Sequence, residues 1–99
     1  MKLTIRTAEQ IAAEAMDLQA EQIKAECRAR IFAVVDEIAQ VNLAAAAAAS
    51  MLSDADVATY RDGLGWIANM RAHCGHLIQG NDGDWPAVPA GVDALAARY

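Results

Sequence analysis

The stretch IKAECRARIFAVVDEIAQV, running from Ile23 to Val41, decides the fold. Its apolar anchors stand at Ile23, Cys27, Ile31, Val34, Ile38 and Val41, at steps of 4, 4, 3, 4 and 3. That spacing is the signature of one continuous face of an α-helix. Phe32 and Val35 widen the face, and Glu26 stands four residues before Arg30, where the two can pair on the exposed side.

Outward from this stretch the helix signal persists on both sides. Met16 continues the apolar face toward the N-terminus, and Thr7-Ala8-Glu9-Gln10 fits a capping box, with Glu9 complementing the positive helix end. No Gly or Pro occurs between Thr7 and Ala49, and the run Ala44–Ala49 is the strongest helix-forming composition available. The reading is a single helix over 7–49, roughly 60 Å long at 1.5 Å per residue. The remaining half of the chain is too short to cover such a rod. Its first part, about residues 8–25, is therefore expected to project or to meet another subunit. Residues 1–6 alternate in polarity (Leu3 and Ile5 against Lys2, Thr4 and Arg6) and read as a short extended segment.

Ser53, followed by Asp54 and Asp56, marks the start of a second helix, expected over 54–79. Val57, Tyr60, Leu64, Ile67, Cys74 and Ile78 define its apolar face, with Trp66, Met70 and Leu77 beside it. Gly63 and Gly65 weaken this helix and leave room for a close crossing or a bend. Two apolar-faced helices joined by a short turn predict an antiparallel hairpin. Gly80-Asn81-Asp82-Gly83-Asp84 ends the second helix. Trp85-Pro86-Ala87-Val88-Pro89 is expected to be extended, with Trp85 folded back on the hairpin. Val92–Arg98 should add a short terminal turn with Leu95 pointing inward. The fold class is thus all-α, in one domain of 99 residues.

Composition narrows the function. The hydrophobic fraction is 56%, but much of it is alanine, which favours helix and buries little area, so the core is thin. Thirteen acidic and eight basic residues leave a net charge of −5, which disfavours nonspecific nucleic-acid binding and attraction to anionic membranes. The longest apolar run, Leu43–Ala49, is far below the roughly 20 residues that span a bilayer. No secretory signal is evident, and cytoplasmic residence is expected. Cys27 and Cys74 are then expected as free thiols at helix interfaces.

Signals for catalysis are weak. There is no GxSxG, no Walker loop and no dinucleotide fingerprint. Asn81-Asp82-Gly83-Asp84 lacks the twelve-residue ligand pattern of a calcium loop, and neither an enzymatic activity nor a cofactor is expected. The alternative reading is a small metal-binding or regulatory protein built on His73, Cys74 and His76. Two imidazoles three residues apart share one side of a helix, but Cys74 lies about 100° round from His73 and no fourth ligand is evident nearby.

Arg28-Ala29-Arg30-Ile31, Gln40 and Asn42, then Tyr60, Trp66-Ile67 with Met70-Arg71, and finally Trp85-Pro86 with Pro89 form a spaced pattern over residues 25–90. This pattern resembles the C-terminal region of bacteriophage tail-fibre assembly proteins. The chain departs from the family in carrying a long acidic helix where the family has a sizeable N-terminal domain. The resemblance implies a small chaperone that binds the distal part of a trimeric tail fibre, or a small structural tail protein. It also implies a homo- or hetero-oligomer, located in the host cytoplasm and in some members retained in the virion tail. The surfaces expected to meet a partner are Ile23, Cys27, Ile31, Val34, Ile38 and Val41 with the aromatic set Tyr60, Trp66 and Trp85.

Overall fold

Thr7, Asp36 and Ser53 each accept a hydrogen bond from the backbone N–H three residues on, and these three caps set where the main helices begin. The computed structural model describes residues 6–99, so the extended segment expected over 1–6 falls almost wholly outside the described residues. The elements are α1 (Ala8–Val34), α2 (Glu37–Ala48), α3 (Asp54–Ile78) and α4 (Val92–Ala97), with no strand among the described residues. The chain is all-α, with a long first helix and a hairpin-like return.

The capping box forms as the sequence implies: Gln10 N–H donates to Thr7 Oγ1 at 3.1 Å, and Thr7 N–H donates to Gln10 Oε1 at 2.8 Å. The long helix does not, however, run through to Ala49. It stops at Val34, and α2 leaves at 60° to α1. The cause is Asp36. Its carboxylate accepts from Ala39 N–H at 2.7 Å, and Gln40 Nε2 donates to the carbonyl of Val35 at 3.0 Å. Val35 turns extended at φ −131°, ψ 95°, and Asp36 takes the extended geometry of an N-cap. Aspartate competes with the helix backbone for hydrogen bonds and is worth more at a cap than inside a helix.

The elbow reassigns the faces. Val35 at the elbow and Ala39 and Leu43 on α2 point inward, while Ile38 and Val41, expected to continue the face of Ile23–Val34, are 70% and 64% exposed. α3 is also rotated from expectation. Gly63, Trp66, Met70 and Cys74 are its buried line, and Leu64 faces outward. Gly63 faces Val92 of α4, and a Cβ there would meet its side chain at 3.4 Å, an ordinary contact.

Two apolar clusters result. The first joins Cys27 and Ile31 of α1 to Trp66, Met70 and Cys74 of α3. The second joins Val35, Ala39 and Leu43 to Val92, Leu95 and Ala96. Leu95 points inward as expected, and α4 packs on α1, α2 and α3. Val34 packs against both clusters.

The molecule is elongated, 64 × 32 × 18 Å, with a radius of gyration of 18.7 Å. A compact chain of this length would have about 13 Å. The excess comes from α1: every residue from Ala8 to Gln19 is exposed, and no other element covers it. Among the described residues no single helix is long and apolar enough to cross a membrane.

Candidate functional site

The residues expected to meet a partner divide into three groups. Cys27, Ile31 and Trp66 are buried in the first cluster. Ile23, Val34, Tyr60 and Trp85 are half-buried at cluster margins. Ile38 and Val41 stand on the outer side of α2 beside Glu37 and Asn42. The seam from Ile23 to Val41 is thus not one surface. Its first part is the interior of the protein and its last part is free.

Sequence reading missed the concave surface between α2 and α3. These helices meet only sparsely because α4 inserts beneath them. The result is an apolar cleft of about 200 Å³. Leu43, Ala44, Tyr60, Leu64 and Ile67 form its walls, and Val92 and Leu95 contribute from α4. The only signal that could have revealed it is Asp36, whose cap turns α2 away from α1.

A second slot of about 300 Å³ lies between α1 and α3. Cys27, Ile31, Phe32 and Cys74 line its apolar part, and Lys24, Arg28 and Arg71 stand at its edge with no acidic residue among the lining. Gln40 lines both this slot and the apolar cleft. In a chain of net charge −5 this is a local concentration of positive charge.

Within the slot the two thiols face each other across the helix pair. Cys27 Sγ donates to the carbonyl of Met70 at 3.6 Å. Burial pushes the Cys27 thiol above its ordinary range, and the neighbouring Cys74 thiol adds to the effect. Both cysteines are free, and the protonated form that burial favours at Cys27 is a poor nucleophile.

His73 and Cys74 serve different sides of α3. The His73 ring stands edge-on to Trp85 with centroids 5.0 Å apart, and its Nε2 is 3.1 Å from the carbonyl of Gly83. The His76 ring is 6.0 Å from that of His73, while Cys74 is buried against α1. Among the described residues no three or more His, Cys, Asp or Glu side chains converge as metal ligands would.

Trp85 folds back as expected. The Arg30 guanidinium lies 5.1 Å from its ring centroid, and Trp66 Nε1 donates to the carbonyl of Pro86 at 3.1 Å. The Trp85–Pro89 segment is thereby strapped across α1 and α3. Asp56 and Arg98 tie the far end: Arg98 Nη2 is 2.6 Å from Asp56 Oδ2. This hydrogen bond, with the attraction between the charges, holds the Asp56 carboxyl below its usual value.

Comparison with protein-family models, with curated proteins and with solved structures found no match.

Proposed function

We propose that this chain is a binding protein, not an enzyme, and that it holds an apolar segment of another polypeptide in the cleft between α2 and α3. One observation carries the reading. The cleft is walled by Leu43, Ala44, Tyr60, Leu64 and Ile67, and Leu64 is left 49% exposed although the core has few large apolar side chains to spare. Contiguous exposed apolar surface on a small protein marks an interaction site. The cleft is concave, walled by aliphatic and aromatic side chains, and edged by the Tyr60 ring, which suits an amphipathic helix or strand.

The first partner to try is a tail-fibre subunit or another tail protein. The resemblance to fibre assembly proteins supports this choice. Arg30, Trp66, Trp85 and Pro86, quoted for that resemblance, belong to the strap that braces α3 from behind. A chaperone of this kind would cover apolar surface on an unassembled subunit and release it on assembly.

The test is co-expression with candidate fibre polypeptides, followed by co-purification and by mass measurement of the complex. Leu64→Glu and Ala44→Glu should abolish the complex while leaving the fold intact, because both side chains line the cleft and already face solvent. Capture that survives both substitutions, or a chain indifferent to every tail polypeptide, would sink the proposal.

A further inference from the structure

α1 carries a second apolar line that nothing in its own chain covers. Ile11, Ala15, Leu18, Gln22, Ala25, Ala29 and Phe32 follow one another at steps of 4, 3, 4, 3, 4 and 3. This is the a/d spacing of a coiled coil, sustained over three heptads. At 100° per residue the line runs on the side of α1 opposite the Ile23–Val34 face that packs on α3. Ile11, Leu18 and Phe32 are 53%, 61% and 44% exposed. The first part of α1, Ala8–Gln19, is exposed throughout with no covering element, and an isolated helix of about this length is marginal in water.

Charge identifies the occupant. Residues 8–22 carry Glu9, Glu14, Asp17 and Glu21 and no basic residue. The other end of the line borders the slot edged by Lys24, Arg28 and Arg71. Each copy thus presents an acidic apolar arm and a basic apolar seat of matching line. We propose that two copies pair through α1, antiparallel, with the arm of each lying along the seat of the other.

The orientation follows from the edge of the line. Glu14, Glu21 and Arg28 occupy one flanking position seven residues apart. In the antiparallel arrangement Glu14 of one copy, which within its own chain pairs with Arg6, meets Arg28 of the other, twice, about a two-fold axis at Glu21. The two Glu21 side chains near the axis are each paired within their own chain to Lys24, at 3.3 Å. A parallel pair would instead set Glu21 against Glu26 twice and leave Arg28 facing Ala33. Flanking charges of this kind select orientation in coiled coils. Gln22, the one polar residue in the line, sits close to the axis and disfavours shifted registers. The surface is separate from the α2–α3 cleft, so this pairing stands or falls independently of the binding function proposed above.

The experiment is sedimentation or light-scattering mass at micromolar concentration, on the whole chain and on charge variants. The wild type should have about twice the 10.5 kDa chain mass. Leu18→Asp should weaken the pair by at least about tenfold, since it buries an unpaired charge in the seam. Glu14→Arg alone and Arg28→Glu alone should each be monomeric, and a mixture of the two should give a heterodimer. Folding of every variant is followed by Trp66 and Trp85 fluorescence, which report on α3 and the strap, away from the arm. A wild type that stays monomeric, a dimer unaffected by Leu18→Asp, or a mixture that fails to pair would each overturn the proposal.

Discussion

The two halves of α1 are built alike and live differently. Ala8–Gln22 and Ile23–Val34 share one backbone and similar alanine content, and both carry aliphatic residues at helical spacing. In the second half Cys27 and Ile31 are 5% and 6% exposed, because Trp66 and Met70 of α3 lie against them. In the first half Ile11, Met16 and Leu18 are all more than half exposed, because α3 ends at Ile78 and the strap turns back. Amphipathic patterning therefore states that a face will be covered. It does not state by what. Burial in this molecule is decided by the reach of α3, and the apolar residues of the arm stay uncovered by their own fold.

The comparison is broken or sharpened most strongly by truncating one residue on each side of it. Met70 is 1% exposed, and Met70→Ala should cost about 2–5 kcal/mol of stability by leaving a cavity in the first cluster. Leu18→Ala, measured by denaturant unfolding at a dilution that keeps copies apart, should change stability by less than about 0.5 kcal/mol. Equal effects would mean that the arm is covered within its own chain.

The elbow comes next. Asp36→Ala removes the cap of α2 and should cost about 1 kcal/mol in thermal or denaturant melts. It should also relax the 60° bend toward a straight rod, which small-angle scattering would register as an increase over the 18.7 Å radius of gyration.

A gain is expected at the end of α2. Ser50 is at φ 55° in the left-handed region, with its N–H donating to Ala47 and the Met51 N–H to Ala46. This is the geometry that Gly80 supplies after α3, at φ 90°, with its N–H donating to Leu77 and that of Asn81 to His76. Ser50→Gly should therefore stabilise the body by up to about 1 kcal/mol, read as a higher melting temperature. Circular dichroism at temperatures below the melt should show no change in the arm.

The smallest effect belongs to the exposed Asp56–Arg98 pair. Its contribution is complete above the ordinary carboxylate range, where Asp56 is ionised in both states. It is lost as the pH falls through the lowered folded-state value. The melting difference between wild type and Asp56→Asn should be slight at neutral pH and should disappear in acid. A difference that grew on acidification would reverse the assigned direction.

Much of the architecture was legible. Thr7 and Ser53 announced helix starts, Gly80 announced an end, and Trp85-Pro86 announced a returning strap, because each depends on local hydrogen bonding or backbone stiffness. The elbow was not read, although Val34-Val35-Asp36-Glu37 contains its cause: two β-branched residues, a capping aspartate and an acidic first turn. The surrounding alanine-rich sequence masked it. Missing that bend put Ile38 and Val41 on one continuous face with Ile23–Val34, which the elbow divides. The apolar cleft was invisible for a related reason, since it exists only once α4 holds α2 and α3 apart. The buried line of α3 was misplaced by one position, at Leu64, because the face turned inward at Gly63 is set by where α4 brings Val92.

Val34 is where the two clusters touch. One is filled by tryptophan, methionine and isoleucine, the other largely by alanine and valine, with a leucine from each of α2 and α4. Apart from the packing of α4 on α3, Val34 is the one apolar side chain that the two clusters share, and so narrow an apolar joint should let the lighter cluster come apart at a lower temperature than the heavier one. Calorimetry would then give a measured enthalpy larger than the one inferred from the sharpness of the transition. A hundred-residue chain would behave thermally as two small bodies sharing a hinge.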